Sequence, residues 1–191
     1  KTNYPSIDKT HLQGISNFKL HPFIPNISVY NSIKLMNIPY MNNIAIDCLD
    51  LKLNYKEMIK NSNVIAKSLI ELGVKPGEII TICMPNYAQA VEIFLAANKI
   101  GVTVSFINSF AKKEETIKYL NYFESPIFIN YNKDKEHNKE IKEKTKVRNI
   151  ITLGKDDLNR KDFNRINGKL IGYDDLVTFS DLGLVSDFQK G

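Results

Sequence analysis

Residues 79–107 read IITICMPNYAQAVEIFLAANKIGVTVSFI and contain a complete strand, helix and strand. The first strand, Ile79 to Met84, is apolar nearly throughout, which is typical of a strand covered on both faces. Pro85 breaks that strand, and Asn86 is predicted to cap the next helix. The apolar stripe of this helix is Ala90, Val91, Phe94, Leu95 and Ala97, and the helix ends at Gly101 before a second strand, Val102 to Ile107.

The same alternation extends in both directions. Upstream, an amphipathic helix spans Asn54 to Leu72, with Asn54 and Glu57 at capping-box spacing and Gly73 as its C-terminal glycine. Its buried stripe is predicted to be Tyr55, Met58, Ile59, Ala66 and Leu69, and a short hairpin from Ile44 to Leu53 precedes it. Downstream we expect a helix Lys113–Phe123 with Ile117, Leu120 and Phe123 inside, a strand Ile127–Tyr131, a charged helix around His137–Thr145 and a strand Asn149–Leu153.

Alternating strands and helices at this spacing predict the α/β class. Right-handed crossovers of this kind build a doubly wound, mainly parallel sheet with helices on both faces. After the last strand, residues 158–168 are polar and predicted to form a loop. The motif Gly172-Tyr173-Asp174-Asp175-Leu176 is predicted to be a turn that opens a short helix.

Composition and charge restrict the function classes. The chain has 191 residues, is 43% hydrophobic and carries a formal net charge of +5. Much of the excess lies in Lys133–Arg148, where basic and acidic side chains interleave, which favours a solvated helix face over a nucleic-acid surface. No segment has the roughly 20 apolar residues of a membrane span, so we expect a cytoplasmic protein. Because the chain starts at Lys1 and stops at Gly191 without a capping signal, we expect both ends to be cuts.

Motifs that carry chemistry are absent from the sequence. It has no Gly-x-Gly-x-x-Gly, no phosphate-binding loop ending in Gly-Lys-Ser/Thr, and no Gly-x-Ser-x-Gly elbow. The three histidines, His11, His21 and His137, are scattered without other metal ligands at suitable spacing, so we predict no metal site. We interpret the acidic pairs as helix first turns or loops; these pairs are Glu114-Glu115, Asp156-Asp157 and Asp174-Asp175. Cys48 and Cys83 lie in apolar runs and are predicted to be buried thiols.

Four linked motifs in order resemble the N-terminal region of AMP-forming acyl-CoA synthetases, the adenylate-forming superfamily. They are Leu53–Met58, the turn Leu72–Glu78, the strand and break Ile82–Asn86, and Ala96–Val102. The helix that begins at Glu114-Glu115 and the motif Tyr173–Leu176 resemble later parts of the same region. One departure is Asn108-Ser109-Phe110, where many members have a proline. The resemblance covers roughly residues 27–177.

The resemblance implies a single N-terminal fragment, residues 1–191, of the adenylate-forming large domain. Within it, 1–50 would be a lead segment and short hairpin, 51–155 the βα core, and 156–191 a loop and short helix towards the missing nucleotide loop. The parent would use ATP, Mg²⁺ and CoA to convert a carboxylic acid into an acyl-CoA. The family's phosphate-gripping loop, ribose-binding acid and C-terminal lysine match no position here, so we predict no catalytic, cofactor-binding or metal-binding residue in this chain.

The resemblance also sets the expected partners and leaves an alternative open. The partners would be the rest of the large domain and the C-terminal domain, and without them we expect an uncovered apolar face through which the chain sticks or dimerises. The alternative is a stand-alone flavodoxin-like module that binds a small ligand or a protein. A weaker one is nucleic-acid binding through Lys133–Arg148. Neither the acid that is activated nor the choice of CoA or a carrier protein as acceptor follows from these residues.

Overall fold

The computed structural model describes residues 27–131 and 135–154, together with the backbone of 169–171 and 176–178. The helices are α1 (Val29–Met36), α2 (Tyr55–Glu71), α3 (Ala88–Lys99), α4 (Lys113–Phe123) and α5 (Lys135–Lys144), with a 3₁₀ turn at Ile38–Tyr40. The strands are β1 (Ile44–Cys48), β2 (Leu51–Asn54), β3 (Ile79–Cys83), β4 (Thr103–Phe106), β5 (Ile127–Tyr131), β6 (Asn149–Leu153), β7 (Lys169–Ile171) and β8 (Leu176–Thr178).

A parallel sheet of four strands in the order β4-β3-β5-β6 forms the centre of the molecule. Its central strands are buried on both faces, as the apolar runs predict. Alternate side chains such as Ile82 and Ile129 pack under α2 and α3, while Cys83 and Phe128 pack under α4 and α5. The predicted α/β fold with helices on both faces is therefore confirmed.

Two antiparallel hairpins accompany the sheet. β1 pairs with β2 around a turn in which Leu49 has a φ of 55°, and the buried side chains Leu51 and Leu53 pack against Ala88. β7 pairs with β8. The motif Gly172–Leu176 was predicted to be a turn that opens a short helix, but residues 176–178 extend as a strand. Two of these three residues, Val177 and Thr178, are β-branched and favour strands. Residues 172–175 lie outside the described part.

Helix α1 is held to the rest by one polar cluster. The Tyr30 hydroxyl donates to Asn63 Oδ1 at 2.7 Å, and the Tyr30 backbone N–H donates to Asn98 Oδ1 at 2.9 Å. The Lys99 ammonium also donates to Asn63 Oδ1, at 2.7 Å, and lies 5.4 Å from the centre of the Tyr30 ring. These contacts join α1 to both α2 and α3.

Exposed apolar side chains lie outside the two covered faces of the sheet. They are found on α1 and the 3₁₀ turn, on the edge strand β4, in the loop that follows it and on the surface of α4; they include Met36, Ile38, Phe106, Phe110 and Tyr122. The apolar surface of the described part is thus a set of patches and not an open sheet face. The domain boundaries inferred from the resemblance remain predictions. The boundary placed after residue 50 falls inside the β1–β2 hairpin.

The capping box predicted at the start of α2 is present. Asn54 Oδ1 accepts from the Glu57 N–H at 2.8 Å, and the Glu57 carboxylate accepts from the Asn54 N–H at 2.9 Å. Asn54→Ala is expected to lower the free energy of unfolding by about 1 kcal/mol in urea titrations. Asn54→Ser keeps a capping oxygen and should lose much less, so equal losses in the two variants would contradict the capping role.

Candidate functional site

The carboxyl ends of β3 and β5 lie at the topological switch point of the sheet. From β3 the chain passes to β4 on one side, whereas from β5 it passes to β6 on the other. Open α/β sheets bind ligands in the crevice that this reversal creates. Here Tyr87, just after β3, and Tyr131, the last residue of β5, meet at that edge with ring centroids 5.2 Å apart in an edge-to-face arrangement.

A cavity of about 500 Å³ lies beside the tyrosine pair. It is bounded by α1, the β1–β2 hairpin, the start of α2 and the N-terminal half of α3, and its volume is within the range of small-molecule sites. The lining residues are Ile33, Asn37, Ala45, Ile46, Asp47, Cys48, Tyr55, Met58, Asn86, Tyr87, Ala88, Val91 and Leu95. The cavity is thus mainly apolar, with a few polar groups at its rim.

The charge of this cavity suits an uncharged group. Asp47 is the one charged residue in the lining, and its carboxylate pairs with the Lys52 ammonium at 2.9 Å. A phosphate or carboxylate here would meet Asp47 and no lining cation, so the chemistry offered is van der Waals contact and hydrogen bonding. Val91, predicted to be buried, is 42% exposed because it faces this cavity; Ile93 and Ala96 are buried in its place.

Tyr87 and Cys48 both line the cavity. Partial burial raises the pKa of Tyr87 above its ordinary value, and the neighbouring Tyr131 phenol and Cys48 add to the rise. Cys48 is half-buried and not fully buried as predicted, because it lies at the cavity wall, with its Sγ 3.9 Å from the Asn86 carbonyl oxygen. Cys83 is buried, as predicted.

Asn86 does not cap α3, in contrast to the sequence prediction. The N-cap residue is Tyr87, which has an extended conformation and makes no side-chain cap hydrogen bond. The Tyr87 N–H donates to the Pro85 carbonyl at 2.7 Å, which forms a tight turn and delays the helix by one residue. Asn86 is left exposed at the cavity rim, where it is available for ligand contact.

A buried chain of polar side chains lies at the carboxyl ends of β5 and β6. Asn130 Nδ2 donates to Asn138 Oδ1 at 2.9 Å, and Asn138 Nδ2 donates to Thr152 Oγ1 at 2.8 Å. Sequence reasoning missed this chain, although an asparagine inside the apolar run Ile127–Tyr131 was a signal for it. These hydrogen bonds tie α5 to β5, the strand that carries Tyr131.

The remaining sequence candidates occupy ordinary positions. Glu114 and Glu115 lie in the first turn of α4, and several charges of α5 are paired: Lys139 lies 4.0 Å from Glu143, and Glu140 contacts Lys113 and Lys144. These two hydrogen bonds lower the pKa of the Glu140 carboxyl to about 2. Paired charges favour the predicted solvated face.

His11, His21, Asp156-Asp157 and Asp174-Asp175 lie outside the described residues. Within the described part, no group of three His, Cys, Asp or Glu side chains is placed to hold a metal, and no helix is long and apolar enough to cross a membrane.

One protein family matches most of the sequence that forms this fold. The family described as AMP-binding enzyme matches residues 39–172, which include both β1–β2 and the parallel sheet. The chain belongs to this family. The resemblance inferred from the four sequence motifs is therefore confirmed.

Two curated relatives are synthetases by name, and a solved ligase shares the fold. Malformin synthetase mlfA from Aspergillus niger is 23% identical over 132 residues, which cover 69% of this chain and 3% of the relative. The mitochondrial acyl-CoA synthetase short-chain family member 3 from Mus musculus is 38% identical over 63 residues, 32% of this chain and 9% of the relative. The crystal structure of the anthranilate CoA ligase AuaEII, in complex with anthranoyl-AMP, shares the fold with a TM-score of 0.63 at 20% identity.

The match to AuaEII covers 68% of this chain and 26% of that structure. This chain therefore corresponds to about a quarter of a solved ligase and to a smaller share of the two curated relatives.

Proposed function

We propose that this chain is the front part of the large domain of an ATP-dependent, AMP-forming acid–CoA ligase. In such an enzyme a carboxylate attacks the α-phosphorus of ATP, which forms an acyl-adenylate and releases pyrophosphate. The acyl group then passes to the CoA thiol and AMP leaves. The observation that carries this proposal is the family match over residues 39–172, which coincides with the hairpin and the sheet.

The chain's role in the parent would be that of a scaffold and a wall. The switch-point edge with Tyr87 and Tyr131 and the apolar cavity beside it would lie beneath the acyl or pantetheine channel. Neither an acyl chain nor a pantetheine arm carries a charge, which fits a lining whose one charged residue is paired. Contacts of this kind position a substrate without taking part in proton or phosphoryl transfer.

The described residues do not fit ATP or Mg²⁺. The cavity lining has no cation for a triphosphate, and no group of carboxylates is assembled among residues 27–131 and 135–154 that would hold Mg²⁺. We therefore place ATP, Mg²⁺ and the adenylation step in the rest of the large domain and the C-terminal domain. Those parts are the partners we propose for this chain. A homodimer through its exposed apolar patches and a cytoplasmic location also remain proposals.

The adenylation reaction provides the test. The protein encoded by the whole reading frame that contains residues 1–191 is expected to catalyse pyrophosphate exchange into ATP in the presence of one or more acids from a panel of aliphatic and aromatic carboxylic acids. The 191-residue chain alone is expected to show no exchange above a boiled control. Adding either CoA or a phosphopantetheinylated carrier protein to the active protein would identify the acyl acceptor.

Three outcomes would contradict parts of the proposal. If the full-length protein shows no pyrophosphate exchange with any acid of the panel, the assigned activity is wrong. Exchange by the 191-residue chain would overturn its role as a scaffold. A reading frame that ends close to Gly191 would favour the stand-alone flavodoxin-like module, which the family match does not favour.

A further inference from the structure

Glu92 is a carboxylic acid in the interface between α2 and α3. Only 1% of the residue is exposed. Its Oε1 accepts a hydrogen bond from Asn61 Nδ2 on α2 at 2.7 Å, while its Oε2 is buried and has no hydrogen-bond partner among the described residues. Glu92 also forms no ion pair in this part of the chain. A fully buried carboxylate with one neutral donor is a strongly unfavourable state for the ionised form.

The charged and titratable groups around Glu92 do not compensate its charge. α3 packs against α2, α1, β4 and β1. The titratable groups on those elements and on α3 itself are Tyr55, Lys56, Glu57, Lys60, Lys67 and Glu71 of α2, Tyr30 and Lys34 of α1, Asp47 and Cys48 of β1, and Lys99 of α3, whereas β4 has none. Tyr30 and Lys99 bond to Asn63, Glu57 closes the capping box and Asp47 pairs with Lys52. Among the described residues, Asn61 is the one side chain that bonds to the Glu92 carboxylate.

Burial raises the pKa of the Glu92 carboxyl from 4.5 to about 8, and the hydrogen bond from Asn61 opposes this rise only in part. The direction agrees with the geometry, since desolvation disfavours the charged form and the one neutral donor is too weak to restore it. At neutral pH the folded protein holds this side chain protonated.

We propose that Glu92 is a proton-sensitive lock on α3: as a neutral acid it lets α2 and α3 pack together, and its ionisation loosens α3 and the cavity wall that this helix forms. The connection to the cavity is direct. Ala88, Val91 and Leu95 of α3 line it, and Tyr87 is the N-cap of the same helix. The lock is a property of this chain and does not depend on the adenylation activity proposed above.

The sign of the pH effect follows from linkage. The pKa is raised in the folded state, so the folded protein binds more protons than the unfolded chain between pH 4.5 and about 8. Stability from this group is complete below pH 4.5 and is lost as the pH rises towards 8. Relative to a variant without the acid, the unfolding equilibrium constant should rise by up to about tenfold per pH unit in this window.

The experiment compares the purified 191-residue protein with Glu92→Gln in urea titrations from pH 5 to pH 8. The ratio of the unfolding constants, wild type over variant, is expected to rise by roughly 10²- to 10³-fold across this range. Glu115→Gln, a change at an exposed glutamate of α4, is the matched control and should follow the wild type. A change in the Glu92→Gln ratio of less than threefold would overturn the proposal.

Two further measurements keep the test decisive if Glu92→Gln does not fold. In protein labelled with ¹³C at the glutamate carboxyl carbons, one resonance should titrate with a midpoint well above neutral, and Glu92→Met should lack that resonance. Hydrogen exchange of the α3 amides, corrected for intrinsic base catalysis, should rise between pH 6 and pH 8.5 more than exchange in β5. If every glutamate titrates below pH 6, or if α3 and β5 respond equally, the lock does not exist.

Discussion

Phe128→Ala is expected to lower the free energy of unfolding by about 3–5 kcal/mol, the range for removing a fully buried aromatic ring. Phe128 is 0% exposed and lies in the middle of β5, between β3 and β6. On its face of the sheet it packs with Leu120 of α4 and Ile141 of α5. Removing the ring therefore leaves a void between the sheet and two helices, and rigid strands on either side limit how far the void can collapse.

A loss of this size is a large fraction of the net stability of a typical domain, about 5–15 kcal/mol. Urea titration followed by far-ultraviolet circular dichroism measures it. Phe110→Ala is the matched control, because Phe110 is 89% exposed and its loss should change the unfolding free energy by no more than about 0.5 kcal/mol. Equal effects at the two positions would show that β5 is not the centre of the core.

The sequence predicted the elements of this sheet well where local chemistry marks them. Strand Ile127–Tyr131 and helix Lys113–Phe123 have the bounds that were predicted. Both are bounded by residues that cannot continue the element or that favour its start, such as Pro126 before β5 and the acidic first turn of α4. Gly73 and Gly101, with φ of 77° and 73°, end their helices as predicted.

What the sequence could not show is which surfaces meet. Glu92 has the appearance of a solvent-facing residue in an amphipathic helix, yet it is buried because α2 covers that side of α3. Val91 appears to belong to the apolar stripe but faces the cavity, which exists only once the hairpin and α1 have folded against α3. Periodicity reports one helix at a time, whereas burial depends on every neighbour.

The candidate site shows the same limit. No residue was predicted to bind or react, because no motif in the chain carries chemistry. Tyr87 follows β3 and Tyr131 ends β5, so their contact depends on the strand order β4-β3-β5-β6, which makes these two strands neighbours. Neither that order nor the resulting switch point can be read from spacing alone, since several orders satisfy the same alternation of strands and helices.

The polar chain beside this switch point gives the second large effect. Asn138→Leu is expected to lower the free energy of unfolding by about 2–4 kcal/mol, because it removes two hydrogen bonds and leaves polar groups of its partners unpaired. Asn130 is 0% exposed, its Oδ1 already lacks a partner within residues 27–131 and 135–154, and its Nδ2 bonds to Asn138. The substitution removes the bond between Asn130 Nδ2 and residue 138, so the desolvation of the buried Asn130 amide is no longer compensated by that bond.

A double-mutant cycle separates a connected network from two independent polar residues. If Asn130 and Asn138 act as a unit, changing both to leucine removes the donor and the acceptor together, and the double variant should be more stable than the sum of the single losses predicts by about 1–3 kcal/mol. Asn121→Ala, which removes an exposed 3.0 Å bond to the Lys144 carbonyl, is the control and should lose less than about 1 kcal/mol. If the effects of the two leucine changes are strictly additive, the hydrogen bonds of Asn130 and Asn138 do not couple α5 to β5. The position of Tyr131 is then set by the sheet alone.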